Sequence, residues 1–302
     1  MSNSDNKQAN GAALGIMVVV AATVSISLSS IFAPMVYDTG SNPQTLTVFR
    51  FGCFALVCGA WLKFRSTRTS LSRRDLMHCI GAGIVYTIAT GSLVASFAFI
   101  PVSLAVLILY LFPLLTRLGE SLLDRQRPAM AEIACFIGAL VGLVICLGIG
   151  FDQLNMPGLV FSAMAAIGVA TSFLWTGRKL PAVQPTVTTF YMAVTGTIVS
   201  VGFTIGTGAW APPPAELIAG IIMAAAALSF AGGFLGMFAG VRIIGASRTA
   251  MVMNLEPVVT IILALMILKE DLSATQFLGA ALVITAIFAA QKIPASGQTQ
   301  GL

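Results

Sequence analysis

The chain has 302 residues, 57% hydrophobic and only 9% charged, with a formal net charge of +5. A soluble domain carries about 25% charged residues, so this composition excludes a water-facing globule and identifies a polytopic membrane protein built for lipid. The surplus of positive charge does not indicate nucleic-acid binding, because most basic residues fall in short joints between apolar runs, where they set orientation.

Ten apolar segments follow one another, with approximate limits 12–36, 46–64, 76–99, 101–122, 129–149, 157–178, 186–207, 216–240, 244–268 and 272–290. Each is near the ~20 residues that a helix needs to cross the hydrocarbon core. No alternation of period two occurs, which argues against a β-barrel. The first apolar run has no cleavage motif after it and reads as a retained helix. Prolines mark the joints at Asn42-Pro43, Met156-Pro157, Gln184-Pro185 and Pro212–Pro214, and segments three and four join almost directly at Ile100-Pro101. The tail from Pro294 is rich in Gly, Gln and Ser and is expected to be disordered.

Two of the ten segments share a pattern at an offset of 144 residues: IPVSLAVLILYLFPLLTRLGESLL from Ile100 and IGASRTAMVMNLEPVVTIILALMIL from Ile244. Ser103 falls on Ser247, Leu111 on Leu255 and Pro113 on Pro257. Weaker likenesses support the same repeat: NPQTLTVF with VQPTVTTF, and FIGALV at Phe136 with FLGAALV at Phe277. The expected fold is an all-α membrane protein of ten transmembrane helices, arranged as two five-helix repeats. An odd number of spans per unit places the second copy upside down. The expected division is a tail 1–11, a first repeat 12–150, a second repeat 157–291 and a tail 292–302. Inverted repeats with interrupted helices are the signature of secondary transporters.

Lysines and arginines give the orientation. With the N-terminus in the cytoplasm, thirteen basic residues lie on that side: Lys7, Lys63, Arg65, Arg68, Arg73, Arg74, Arg125, Arg127, Arg178, Lys179, Arg242, Arg248 and Lys292. Lys269 alone lies opposite, while Arg50 and Arg117 fall within or near the ends of segments. This asymmetry predicts both termini inside. The equivalent loops Asp124–Arg127 and Lys269–Asp271, one basic and one acidic, agree with it.

Several residues are candidates for chemistry. Pro113 and Pro257 lack an N–H, so the carbonyls of Leu109 and Met253 lose their helical partners near mid-span. Such breaks are tolerated only where protein or water satisfies them, and they are candidate hinges lining a cavity; a plain packing kink is the alternative. Glu256 is the one acidic residue near the middle of a segment, where a charge costs about 2.5–3.5 kcal/mol on insertion scales. It is a candidate to bind a substrate amine, to carry a proton, or to stay protonated as a hydrogen-bonding group. Tyr86, Tyr110 and Asn254 also lie at mid-depth and need polar partners. Segments three, four and nine are expected to meet there in a substrate cavity, with Tyr86 and Tyr110 as walls and Asn254 and Glu256 as polar contacts of the substrate. Arg50 is a candidate gating or structural residue, with contact to a substrate carboxylate as the other reading. Trp61, Trp175 and Trp210 read as interface anchors, and Trp175 also as a gate. Gly232, Gly236 and Gly240, and Gly138 and Gly142, form four-spaced ladders suited to close helix approach.

Cys53, Cys58, Cys79, Cys135 and Cys146 lie in or beside apolar segments without CxxC or Cys/His spacing, so no metal site or disulfide framework is suggested. His78, the sole histidine, stands at the start of segment three without acidic or histidine neighbours in a ligating pattern. No P-loop pattern and no other cofactor motif occurs. A membrane-embedded enzyme would need paired carboxylates, a Ser/His pair or a His cluster at membrane depth; one carboxylate and no histidine lie there, so no catalytic residue is assigned.

The run NLEPVVTIILALMILKEDLSATQFLGAALVI resembles the signature of the EamA-type half of the drug/metabolite transporter superfamily. Glu256-Pro257, the apolar run after them, Lys269-Glu270 and Gly279-Ala280 carry the likeness. The first half follows more loosely: Pro113 is kept, Phe112 replaces the acidic residue, and Asp124 stands near where Glu is usual. TLTVFRF, with Arg50, resembles the arginine-bearing second helix. The resemblance implies inverted five-helix repeats in a bacterial inner membrane. It also implies transport of small organic metabolites, and overall likeness points to the amino-acid exporters, those of aromatic amino acids included. The expected partners are a small solute and membrane lipid, with no nucleic acid; a monomer is compatible with this, and the oligomeric state stays open. Export of other drug-like metabolites and passive uniport remain the alternatives within the class.

Overall fold

Inside lipid every backbone polar group must be satisfied by the chain itself, and helices do this within one segment. The computed structural model describes residues 3–66, 69–125, 130–147, 155–212, 216–244, 249 and 252–291. These form α1 (Asn3–Asp38), α2 (Pro43–Phe64), α3 (Arg73–Ser96), α4 (Val102–Leu109), α5 (Phe112–Leu123) and α6 (Met130–Leu147). The second half holds α7 (Met156–Lys179), α8 (Pro185–Gly206), α9 (Leu217–Ile244), α10 (Glu256–Leu263), a π-helical turn Ala264–Leu268, and α11 (Ala274–Gln291). Arg127, Arg248, Lys292, Pro213, Pro214 and the tail from Pro294 lie outside the described residues, as do the side chains of Lys7, Arg117, Cys146 and Arg242.

Among the described residues seven helices are long and apolar enough to cross a membrane, and three shorter apolar helices, Ile133–Ile145, Glu256–Leu268 and Ala274–Ala289, fall in the other three segments. The shorter three depart from the expected length of each span. The first part of segment nine falls largely on residues outside those described. α1 begins at Asn3, so the helix continues back through the stretch expected as a tail, although its apolar span starts only at Ala13.

Short polar side chains fix the helix starts. The Asn42 carboxamide oxygen accepts from Thr45 N at 2.9 Å, with Pro43 in the first turn. Ser72 Oγ accepts from Asp75 N and donates to the Asp75 carboxylate at 2.7 Å. Both satisfy donors that a helix N-terminus leaves free. Outward faces carry Leu56, Ile198, Ile218 and Phe277, each more than half exposed. Continuous apolar exposure of this kind is the surface that lipid covers.

The two repeats interlock. α1 packs on α9, and the equivalent pair with repeats exchanged, α7 on α3, packs likewise. α2 meets α9 as α8 meets α3, and α1 meets α10 as α7 meets α5. α2 pairs with its own counterpart α8, and α6 with α11. A contact pattern that survives exchange of the halves defines a pseudo-twofold relation. Five spans per half make that relation an inversion across the membrane.

Glycine positions show the same symmetry at atomic detail. A Cβ at Gly236 would lie 2.7 Å from Ala22 Cβ and 3.4 Å from Ala22 Cα; one at Gly168 would lie 2.7 Å from Ala89 Cβ and 3.4 Å from Ala89 Cα. Gly142 faces backbone, with Gly279 O at 2.8 Å and Val283 N at 2.9 Å from such a Cβ. Of the expected ladder, Gly236 and Gly240 lie tight against α1, whereas Gly232 is loosely placed and Gly233 makes the close approach instead. Overpacking a filled interface costs about 1–3 kcal/mol. Gly236→Val and Gly168→Val are therefore expected to lower thermal stability in detergent by comparable amounts. An unchanged melting temperature in either would contradict the packing.

Candidate functional site

Both proline-bearing segments are broken at equivalent places. In segment four the helix stops at Leu109, Tyr110 and Leu111 form a turn, and α5 starts at Phe112. In segment nine Asn254 and Leu255 form the turn and α10 starts at Glu256. Leu111 N bonds Ile108 O at 3.1 Å, and Leu255 N bonds Val252 O at 3.1 Å, the same tightened turn in each repeat. Pro113 and Pro257 occupy the first turns of the helices that follow, where a missing N–H is harmless. Both broken segments also end alike, on Arg125 and Lys269, each at φ 54°.

Across the break a polar contact ties the repeats. Tyr110 Oη donates to Glu256 Oε2 at 2.6 Å. The Glu256 carboxylate also sits in the first turn of α10, where a helix favours negative charge. Phe112, which replaces an acid in the first repeat, packs its ring 5.7 Å from Tyr110 and 5.4 Å from Phe173. Tyr110 is buried in the main apolar core.

A cavity of about 450 Å³ lies beside this core, between α2, α3, α7, α8 and α9. Phe51, Phe54, Tyr86, Phe173, Phe234, Met192 and Met237 give it apolar walls, and Ser172, Thr176 and Thr188 add hydroxyls. It reaches from the α7–α8 joint, at Leu180–Pro185, inward to Tyr86. Its position differs from the expected meeting of segments three, four and nine. Tyr86 lines it, while Tyr110, Asn254 and Glu256 do not. The reason is packing: the two breaks meet each other, and Tyr110 spends its hydroxyl on Glu256.

Arg50 is 5% exposed and lies between α1, α2 and α9. Its guanidinium donates to the Ser29 carbonyl and lies 5.4 Å from the Phe230 ring centroid, while Nε has no partner. Ser29 in turn donates to Ala226 O at 2.7 Å, so one knot joins three helices. Tyr37 donates to Val94 O at 2.6 Å. Trp175 is not among the cavity residues. Its indole Nε1 donates to His78 Nδ1 at 3.3 Å, and its ring fills the space beside Gly81. Trp210 stacks on Phe49 at 6.2 Å, and Trp61 carries Arg65 over its ring.

At the end of the molecule away from Leu180–Pro185, the α1–α2 joint is tied to the stretch after α8. Ser41 Oγ donates to Ala211 O at 2.6 Å, Asn42 Nδ2 to Ala209 O at 2.7 Å, and Ala211 N to Thr45 Oγ1 at 3.0 Å. Nearby, the Glu270 carboxylate accepts from Val102 N at 2.7 Å and from Ser103 N and Oγ. It caps α4 of the other repeat. The sequence carried a signal for this contact in Glu270 of the Lys269-Glu270 pair and in Ser103 at a helix start, but not that the two would meet. Removing a helix cap costs about 0.5–2 kcal/mol. Glu270→Ala is expected to lose that much thermal stability in detergent, and Glu270→Gln less; equal, undiminished stability of both would contradict the capping role.

The fold and the broken-helix site define a multi-pass membrane transporter. The family model for the EamA-like transporter family matches residues 13–148 and again 156–290. The chain belongs to the EamA-like transporter family. It is 24% identical over 235 residues to an uncharacterized transporter of Synechocystis sp., covering 75% of this chain and 70% of that one. It is also 24% identical over 294 residues to the uncharacterized transporter YcbK of Bacillus subtilis, covering 92% and 93%. A solved crystal structure of a protein shares the fold at a TM-score of 0.61, with 18% identity over 93% of this chain and 96% of that chain.

Proposed function

We propose that the protein is a secondary transporter that exports neutral amino acids, aromatic ones included, across the bacterial inner membrane by alternating access. The observation that carries this reading is the aromatic and methionine-lined cavity of about 450 Å³, with a few hydroxyls and Tyr86 at its inner end. Its size falls in the range of small-molecule sites, and its walls suit an apolar side chain. The thirteen-to-one distribution of basic residues supports cytoplasmic termini. The cavity mouth at Leu180–Pro185 then faces the cytoplasm, and the hydrogen-bonded seal at Ser41–Thr45 faces outward. On this reading the units 12–150 and 157–291 rock about the breaks, with Pro113 and Pro257 as hinges. Tyr86 contacts the side chain, Tyr110 and Asn254 support the site, and Glu256 supplies its negative charge.

Discrimination among similar apolar side chains is expected to be modest, because one methylene is worth only about 1–3 kcal/mol. A proteoliposome uptake panel of labelled phenylalanine, methionine, threonine, glutamate and lysine tests the reading. The expected order places phenylalanine and methionine first. Preference for glutamate or lysine, or no amino-acid flux, would overturn the substrate class. Flux of other drug-like solutes in the same vesicles would then identify the alternative.

A further inference from the structure

Two opposite charges lie within the helical bundle, and neither has an ion pair among the described residues. Among the described residues Arg50 meets the Ser29 carbonyl and the face of Phe230, and its buried Nε has no hydrogen-bond partner there. The Glu256 carboxylate accepts a hydrogen bond from Tyr110. A charge held in an apolar interior without an ion partner is costly, and an intramembrane ionisable residue marks a solute path more often than a packing role.

The two residues attach to neighbouring points of α1. Arg50 is fastened to the carbonyl of Ser29 and Glu256 to the hydroxyl of Ser27, through its own carbonyl at 3.4 Å. Two residues along α1 separate those anchors, or about 3 Å along the axis at the rise of a helix. Tyr86, at the inner end of the cavity, meets Phe51 edge-on, and Phe51 in turn meets Phe230, the ring under the Arg50 guanidinium. An apolar chamber thus ends beside the aromatic surround of Arg50, and Glu256 packs on the same stretch of α1 that holds Arg50.

We infer that Arg50 and Glu256 are the two poles of a zwitterion site, the buried guanidinium taking the α-carboxylate of a substrate and the Glu256 carboxylate taking its α-ammonium. This rests on the amino-acid reading of the cavity and adds to it the recognition of the shared backbone end. The spare Nε–H of Arg50 is the donor that the carboxylate acquires, and guanidinium–carboxylate pairing is stronger and more directional than a neutral hydrogen bond. The ammonium competes with Tyr110 for Glu256, so binding loosens the bond that ties the two helix breaks together. Side-chain selectivity and backbone recognition are then separate, which is how one site serves many neutral amino acids.

The test uses the full-length protein in liposomes with labelled L-phenylalanine. Phenethylamine, which lacks the carboxylate, and 3-phenylpropionate, which lacks the amine, serve as competitors. In the parent both analogues should compete at least about tenfold more weakly than phenylalanine, the size of a lost charged contact of about 1.4 kcal/mol. Arg50→Gln should weaken phenylalanine about tenfold or more, change phenethylamine by less than about threefold, and recover in part in Arg50→Lys. Glu256→Gln should spare 3-phenylpropionate in the same way. Equal loss of phenylalanine and phenethylamine in Arg50→Gln assigns Arg50 a structural role and overturns the inference, while the amino-acid reading stands. If the variants do not insert, the parent decides: analogues that match phenylalanine overturn the inference. A parent that moves no amino acid removes the amino-acid reading and this inference with it.

Discussion

Glu256→Ala is expected to reduce phenylalanine counterflow by about ten- to a hundredfold at matched membrane abundance. The carboxylate accepts the Tyr110 hydroxyl at 2.6 Å across the pseudo-twofold, where the two broken helices meet. Truncation leaves that hydroxyl unsatisfied in a buried core, at about 1–3 kcal/mol, and removes the negative pole of the site. Glu256→Gln separates the two contributions. It keeps an acceptor for Tyr110 and loses the charge, so insertion and thermal stability should stay near those of the parent while counterflow falls. If the glutamine variant transports like the parent at every pH tested, the charge has no part in transport and Glu256 serves only as a hydrogen-bonding group.

Tyr86→Ala is expected to weaken phenylalanine binding about tenfold without loss of protein from the membrane. The ring lines the inner end of the cavity and meets Phe51 edge-on, with centroids 6.3 Å apart at 86°. Removing it takes away wall area worth about 25 cal/mol per Å² and an aromatic pair worth about 0.5–1.5 kcal/mol more. Tyr86→Phe retains both, so it should resemble the parent for apolar substrates. Equal transport by the alanine variant and the parent would show that the substrate does not reach Tyr86.

The helix breaks were legible in the sequence because their cause is local. Proline removes one N–H, and the turns at Tyr110-Leu111 and Asn254-Leu255 lie just before Pro113 and Pro257 in both repeats. The repeat offset was legible for the same reason, and it reaches as far as the matching left-handed residues Arg125 and Lys269. What depends on how helices face one another was not. The cavity lies between α2, α3, α7, α8 and α9, and no residue pattern along one helix states that neighbourhood. Arg50 finds a backbone carbonyl of α1, a partner every residue type supplies and no sequence marks. Gly233 rather than Gly232 makes the close approach, a difference of one helical step of about 100°. Trp175 packs against Gly81 and His78 instead of lining the cavity, because its side chain points to α3.

The proposed carrier exposes one cavity alternately, with the bonds of Ser41, Asn42 and Thr45 at one end and the cavity reaching Leu180–Pro185 at the other. Counterflow tests this most directly. Liposomes loaded with unlabelled phenylalanine are diluted into a trace of labelled phenylalanine, and internal label is followed over time. A carrier should accumulate label transiently above its equilibrium level, because each outward trip of unlabelled solute returns the site for label to enter. Label that only rises to equilibrium, or that never enters beyond the rate of protein-free liposomes, would contradict the account.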